Sequence, residues 1–408
     1  MIPRVNQAVI LCGGLGSRLG SLTASTPKPL LPVDGRPFLE ILIEEIARQG
    51  IRRILLLAAF ASDQVRDFAA ALPAKLGFDM TVELAIEPDR AGTGGAIWHA
   101  REQLDDLFYL FNGDSWFDVP LAELARALPA DPAVVGALAL RRLPEAGRYG
   151  VVTLSGGRID QFAAKAEAGS GPVLVNAGVY LFRRTLVDAL SPLCSLEQDG
   201  LAVLAAQGRL AGLPADGYFL DIGIPDDYAR AQTEIPAHRR RPALFLDRDG
   251  VINLDHGHVG SIDRFEWVAG AREAILRANR LGYYVFVVTN QAGIAKGYYT
   301  EADYRAVKAH VRAGLAEIGA HIDDERFCPF HVDAAIEAYR RDSDWRKPAP
   351  GMLLDLLRRW PVDAGHSLLV GDRDSDLAAA AAAGIAGHLF GGGNLDDFVK
   401  PLLTETRA

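Results

Sequence analysis

Residues 7–38 read QAVILCGGLGSRLGSLTASTPKPLLPVDGRPF. The apolar run from Gln7 to Cys12 has the make-up of a buried strand, and it stops at a glycine-rich turn. Gly13, Gly14 and Gly16 let backbone N–H groups come close to phosphate oxygens, where a Cβ would block the approach and restrict φ. Arg18 and Lys28 then add cations, Lys28 being held between prolines. Such a loop suits a nucleoside triphosphate. It is not a dinucleotide fingerprint, because Gly14, Gly16 and Gly20 give one residue too many. It is not a Walker loop either, because no Gly-Lys-Ser/Thr follows.

Outward from this stretch, QAVILC, RRILLLAA, TVELAI, LFYLFN, AVVGALAL and VNAGVYLF read as strands, and PFLEILIEEIARQG reads as a helix ended by Gly50. This alternation, carried to about Thr233, predicts a parallel or mixed sheet with helices on both faces. IPAHRRRP then carries two prolines and no apolar period, and residues 236–241 are read as a linker. The alternation restarts with ALFLD, YYVFVVTN and SLLVGD, separated by the helix signals AREAILRANRLG and EADYRAVKAHVRAGLAEIG. The expectation is an α/β protein of two domains, residues 1–235 and 242–408, within a 408-residue chain that is long enough for two or three folding units.

Composition narrows the function. With 43 Lys plus Arg against 52 Asp plus Glu the formal charge is −9, and no basic block exceeds Arg239 to Arg241. Neither nucleic acid nor an anionic membrane is an expected partner, while phosphate-bearing small molecules remain compatible. Three scattered cysteines, Cys12, Cys194 and Cys328, fit a reducing compartment. The amino terminus runs straight into a strand and no apolar run reaches membrane-spanning length, so a cytoplasmic protein is expected.

GGLGSRLGSLTASTPKPLLPVDGRPF, with AGTGGAI at 91–97, FNGDS at 111–115, NAGVYLF at 176–182 and DIGIPDDY at 221–228, resembles the sugar-phosphate nucleotidyltransferases. GTGGAI, NGDSWFD and DIGIPDDY are most similar to the guanylyltransferases that act on D-glycero-D-manno-heptose 1-phosphate. The resemblance implies a glycosyltransferase-A-like mixed sheet. It also implies attack by a sugar 1-phosphate oxygen on the α-phosphorus of a nucleoside triphosphate, with release of pyrophosphate. Asp114 and Asp221 would hold Mg²⁺, Arg18 and Lys28 would stabilise transition-state charge, and Gly13, Gly14, Gly16, Gly92, Thr93, Lys165 and Asn176 would line the substrate site. Taken singly, Asp114 also suits an Asx turn and Asp221 a helix cap. The family usually has Glu before the sugar-phosphate lysine; Ala164 stands there, which leaves the sugar open. Glu87 could accept from guanine N1 and N2, or be an ordinary solvated side chain.

Asp247-Arg248-Asp249-Gly250-Val251 puts two carboxylates two residues apart at the carboxyl end of a strand, where α/β sheets bind ligands. One Asp can attack phosphorus while the other protonates the leaving alkoxide and then activates water. Thr289 in VVTNQ, Lys347 in RKPAPGM, and Asp372 and Asp376 in VGDRDSD follow in order. Over residues 242–392 this resembles the haloacid dehalogenase phosphatases, with a parallel sheet. DRDGVIN, TNQAGIAKGYYTEADY, CPFH and DWRKPAPGM are most similar to the D-glycero-D-manno-heptose 1,7-bisphosphate phosphatases, with histidinol phosphate phosphatases as near relatives. The resemblance implies Asp247 as nucleophile, Asp249 as acid/base, Thr289 and Lys347 as phosphate clamp, Asn290 and Arg346 as substrate contacts, and Mg²⁺ held by Asp247, Asp249 and Asp372.

That family commonly carries a Cys/His zinc loop, of which Cys328 remains while Phe330, Ser343 and Trp345 replace other ligands. With His331 this leaves at most two good donors, so no zinc is expected, and Phe330 and Trp345 are expected to pack the loop instead. The implied function is a two-step sugar enzyme that removes the 7-phosphate and then joins GMP from GTP to the heptose 1-phosphate. The alternatives are the same chemistry on a mannose-type or other hexose phosphate, or a histidinol-phosphate-type phosphatase fused to a regulatory nucleotide-binding domain.

Overall fold

The computed structural model describes residues 2–14, 17–87, 91–145, 149–163 and 172–403. Gly16 and Lys165 lie outside them. The chain forms two compact units that divide between Ala237 and His238.

The first unit is built on a nine-stranded mixed sheet. In chain order its strands are β1 (Gln7–Leu11), β2 (Arg53–Ala58), β3 (Thr81–Ile86), β4 (Leu107–Asn112), β5 (Gly136–Leu143), β6 (Val151–Ser155), β7 (Arg158–Ala163), β8 (Val173–Arg183) and β9 (Leu210–Ala215). Across the sheet they run β3-β2-β1-β4-β8-β5-β9-β7-β6. The first four are parallel, and β8 is antiparallel to β4 and β5. Leu11 pairs with both Leu57 and Asn112, and Ala58 pairs with Ile86, so four carboxyl ends align on one edge. That edge carries Cys12, Gly13, Glu87 and Asp114. Helix α1 (Phe38–Arg48) is buried along its whole length, charges included: Arg36 neutralises Glu40 (2.8 Å) and Glu44 (2.9 Å), and Lys75 reaches Glu40 (2.6 Å).

The second unit is a five-stranded, wholly parallel sheet of β10 (Ala243–Leu246), β11 (Tyr284–Asn290), β12 (Asp324–Cys328), β13 (Leu368–Gly371) and β14 (Ala386–Leu389), in the order β12-β11-β10-β13-β14. β10, β11 and β13 are covered on both faces, which is why they read as unbroken apolar runs. Leu244, Leu246, Val285, Val287, Leu368 and Val370 pack with Ile275, Val307 and Val311 on one side. On the other, the rings of Tyr284, Phe286 and Trp360 lie 5.2–5.8 Å apart.

One expectation needs correction. The segment read as a linker is helical as far as Arg239, within a helix of residues Pro225–Arg239 that contains Pro236. Asp227, Ala231, Ile235 and Arg239 are buried at four-residue spacing, and Arg230 ties Asp227 (2.9 Å) to Glu234 (2.9 Å), so a helix face and ion pairs outweigh the missing proline N–H. Among the described residues no helix is long and apolar enough to cross a membrane.

Candidate active sites

In the first unit, residue 114 lies just beyond β4, and a short antiparallel ribbon brings it to residue 221. Ser115–Phe117 pairs with Phe219–Asp221, Ser115 stands opposite Asp221, and the Ile222 N–H donates to the Asp114 carbonyl (2.9 Å). Lys28 is buried, with Nζ 2.5 Å from Asp114 Oδ2. Asp221 Oδ1 accepts from the Gly223 N–H (2.5 Å), and a Cβ on Gly223 would stand 3.3 Å from Lys28 Nζ, so Lys28, Asp114 and Asp221 converge. Hard carboxylate oxygens beside a buried ammonium fit Mg²⁺ and a polyphosphate.

The remaining expected residues frame this point in different ways. Gly13 sits close to this edge, where a Cβ would lie 2.8 Å from Glu87 Oε1 and 3.3 Å from the Ala59 Cβ. Glu87 itself accepts from the Ala91 N–H (3.3 Å), bracing the loop against the Gly92–His99 helix. Gly14 and Arg18 are exposed. Gly92, at φ +75°, leaves room for the Cys194 carbonyl, which accepts from the N–H groups of Gly94 (3.0 Å) and Gly95 (3.2 Å). Thr93 Oγ1 accepts from the Leu196 N–H (2.9 Å). Buried Asn176 donates to Tyr180 Oη (2.8 Å) and to Glu197 Oε1 (3.0 Å). Glu197 is the residue that sequence reasoning missed: burial, then repulsion from Asp114 and Asp221, raises its carboxyl above the usual range despite Asn176.

In the second unit, registry places Leu246 beside Val287 and Val370, so β10 and β13 end close together while β11 runs on to Asn290. Asp247 follows β10. Lys347 Nζ lies 3.0 Å from Asp247 Oδ1 and 2.6 Å from Asp376 Oδ1, and donates to the Val288 carbonyl (2.8 Å). Burial opposes its charge, yet Asp247 and Asp376 hold the lysine above its ordinary range. Burial lifts the Asp247 carboxyl to about 6, with Lys347 pulling down and Asp376 and Asp249 pushing up.

Asp247, Asp372 and Asp376 each offer an oxygen within 4.8 Å of the others, and Asp372 Oδ1 is buried without a hydrogen-bond partner. An orphaned buried carboxylate oxygen among three hard donors fits a divalent cation such as Mg²⁺. Two glycines make the room: at Gly250 (φ +86°) a Cβ would lie 2.4 Å from Asp372 Oδ2, and at Gly371 a Cβ would strike Asp376. Asp249, expected among the metal ligands, lies outside this trio. It accepts from Arg248 Nη2 (2.7 Å), Asn253 Nδ2 (3.0 Å) and Gln291 Nε2 (3.0 Å), and Asp376 takes its place in the cluster.

Gln291 Nε2 also donates to Thr289 Oγ1 (2.8 Å), and Tyr299 donates to Gln291 Oε1 (2.5 Å), so Thr289 and Asp249 are oriented by one amide. Asn290 clasps the Lys347 backbone in both directions (3.0 and 3.1 Å), acting on the lysine's placement. Arg346 is half-buried, with Nη1 3.4 Å from the Phe330 carbonyl. In the loop expected to replace a zinc site, the Arg341 guanidinium lies 3.6 Å from the centre of the Phe330 ring, Phe330 faces Tyr339 (6.1 Å), and Trp345 lies against Gly351.

Both units are similar to known proteins. Residues 7–238 match the Nucleotidyl transferase family, which is more than half of the chain, and residues 344–398 match the HAD-hydrolase-like family. D-glycero-beta-D-manno-heptose-1,7-bisphosphate 7-phosphatase of Rhodopseudomonas palustris is 51% identical over 166 residues, spanning 41% of this chain and 92% of that protein. The alpha-anomer enzyme of Burkholderia mallei is 47% identical over 143 residues, 35% of this chain and 76% of that one. The crystal structure of HddC from Yersinia pseudotuberculosis aligns with a TM-score of 0.50 and 28% identity, covering 57% of this chain and all of HddC. The chain thus belongs to the nucleotidyl transferase family through its first unit and to the HAD-like heptose-bisphosphate phosphatases through its second, an enzyme with both phosphatase and nucleotidyltransferase activities.

Proposed function

We propose that the second unit removes the 7-phosphate of D-glycero-D-manno-heptose 1,7-bisphosphate and that the first unit transfers GMP from GTP to the heptose 1-phosphate so formed. In the phosphatase half a carboxylate oxygen of Asp247 attacks phosphorus and Asp249 protonates the departing sugar oxygen, leaving an acyl phosphate on Asp247. Asp249 then takes a proton from water, which hydrolyses that phosphate and restores Asp247. Lys347 and Thr289 hold the phosphoryl oxygens, and Asn290 keeps Lys347 in register. Mg²⁺ held by Asp247 and Asp372 would offset the negative charge of carboxylate and phosphate.

In the transferase half a 1-phosphate oxygen of the sugar attacks the α-phosphorus of the nucleotide and pyrophosphate leaves. Gly13 and Gly14 N–H groups, Arg18 and Lys28 bear the charge, Lys165 holds the sugar phosphate, and Asp114 with Asp221 are the Mg²⁺ ligands. The observation that carries the reading is the pair of buried lysine–aspartate contacts, Lys28–Asp114 and Lys347–Asp247, each at the carboxyl ends of parallel strands within one chain.

The test is to supply the purified protein with GTP, Mg²⁺ and each anomer of the heptose bisphosphate, scoring phosphate, pyrophosphate and the nucleotide sugar. The relatives' names include both anomers, so both belong in the panel. Both activities should vanish on chelation and return with Mg²⁺, and elemental analysis should find no stoichiometric zinc. One zinc per chain surviving dialysis would contradict the reading of Phe330, Ser343 and Trp345. GTP should be preferred over ATP, UTP and dTTP. Inosine triphosphate, which lacks the 2-amino group, should bind about 1–3 kcal/mol more weakly if Glu87 or a backbone carbonyl accepts from that group. Better use of UTP or dTTP with every sugar would end the guanylyl assignment and leave nucleotidyl transfer standing. Three unpaired cysteines support a reducing, cytoplasmic setting.

A further inference from the structure

We propose that Glu197 is a specificity-determining residue of the transferase half, accepting hydrogen bonds from the hydroxyls of the sugar ring. The inference rests on the nucleotidyl-transfer reading of that site. Asn176 has both amide hydrogens directed inside the protein, one to Tyr180 Oη and the other to Glu197 Oε1, so its N–H groups serve to aim Glu197. The second carboxylate oxygen of this half-buried side chain has no hydrogen bond among the described residues. That oxygen is open to a hydrogen-bond donor from outside the chain.

The segment that carries Glu197 is fixed from two sides. Thr93 holds the Leu196 N–H, and the Gly94 and Gly95 N–H groups hold the Cys194 carbonyl. Residues Leu196–Leu201 form a π-helix, a turn that recurs at functional sites. Glu197 lies within electrostatic reach of Asp114 and Asp221, the carboxylates assigned to the reacting phosphates. Yet Glu197, Asp114 and Asp221 do not each offer an oxygen within 4.8 Å of the others, so they are not a ready ligand set for one shared ion.

On the nucleotidyl-transfer reading Mg²⁺ and Lys28 take up the charge of Asp114 and Asp221, whereas Glu197 has only an amide beside it among the described residues, so the group it meets must donate hydrogen bonds and carry no negative charge. The part of the substrate pair that lies next to the reacting phosphates and meets this description is the pyranose ring, whose vicinal hydroxyls match a carboxylate acceptor. A guanine edge also donates, but the ribose separates it from the α-phosphate.

The experiment compares wild type, Glu197→Ala and the isosteric Glu197→Gln in pyrophosphate release from GTP, using D-glycero-D-manno-heptose 1-phosphate and its 2-, 3- and 4-deoxy forms. One deoxy sugar should raise the wild-type KM about tenfold or more, and E197A should raise the KM of the parent sugar comparably and no longer distinguish it from that deoxy form. The KM for GTP should stay within about twofold, because the base and triphosphate do not meet Glu197. E197Q, which keeps an acceptor for Asn176, should lie between the two. Independent, multiplying effects of E197A and every deoxy sugar would overturn the proposal, as would a loss confined to GTP. The wild-type response to the deoxy sugars is decisive even if E197A fails to fold: no sensitivity to any hydroxyl excludes the contact. A wild type that forms no pyrophosphate with any sugar 1-phosphate would instead refute the nucleotidyl-transfer reading itself.

Discussion

Asp247→Asn should reduce phosphate release at least about a thousandfold while pyrophosphate formation stays within twofold of wild type. The amide keeps the shape of the side chain and loses the nucleophile. It also removes a carboxylate that burial already disfavours in its charged form, and Lys347 retains Asp376 at 2.6 Å. The fold should therefore survive, with a melting temperature close to that of wild type. The nucleotidyl half is a separately packed unit, so its rate should not respond. Comparable loss of both activities in a folded D247N protein would contradict two independent sites.

Lys28→Ala should do the reverse. Lys28 is buried against Asp114, and its removal leaves the acidic pair without the cation that offsets developing charge at the transferred phosphoryl group. A loss of several kcal/mol of transition-state stabilisation, roughly a thousandfold in pyrophosphate formation, is expected, with phosphate release unchanged. Asp114→Ala should match it by removing the metal ligand. A variant keeping most of its transferase rate would show that these residues are misassigned.

The two ends of each catalytic loop could be read directly because their signals are local. The Gly13–Gly14 turn, Lys28 between prolines, Asp247-x-Asp249 and Lys347-Pro348 each follow or precede an apolar run that reads as an element. Strands β10, β11 and β13 of the second unit were legible for the same reason, being buried on both faces. Strand β12, DERFC, was not, since its half-buried charges are satisfied by partners distant in sequence: Asp324 lies 3.2 Å from Arg359 Nε, and Arg326 Nε lies 2.6 Å from Asp355 Oδ2.

Glu197 was hidden for a related reason. Its partner Asn176 is 21 residues away across a turn, and SLEQDG alone reads as a polar loop. The exchange of Asp249 for Asp376 in the carboxylate cluster depends on side-chain directions, with Asp249 drawn off by Arg248, Asn253 and Gln291, which spacing does not encode. The helix through Pro236 was missed because proline was weighed above the four-residue burial of Asp227, Ala231, Ile235 and Arg239.

The central claim is that one chain carries out two consecutive steps on one sugar. Its most direct test is to incubate D247N, K28A and an equimolar mixture of the two with heptose 1,7-bisphosphate, GTP and Mg²⁺, and to identify the products by mass spectrometry. The account predicts no nucleotide heptose free of the 7-phosphate from either variant alone, and its restoration in the mixture, as phosphatase-active K28A supplies heptose 1-phosphate to transferase-active D247N. A mixture that stays inactive while each variant retains its own half-reaction, or a wild-type product that still carries the 7-phosphate, would contradict it.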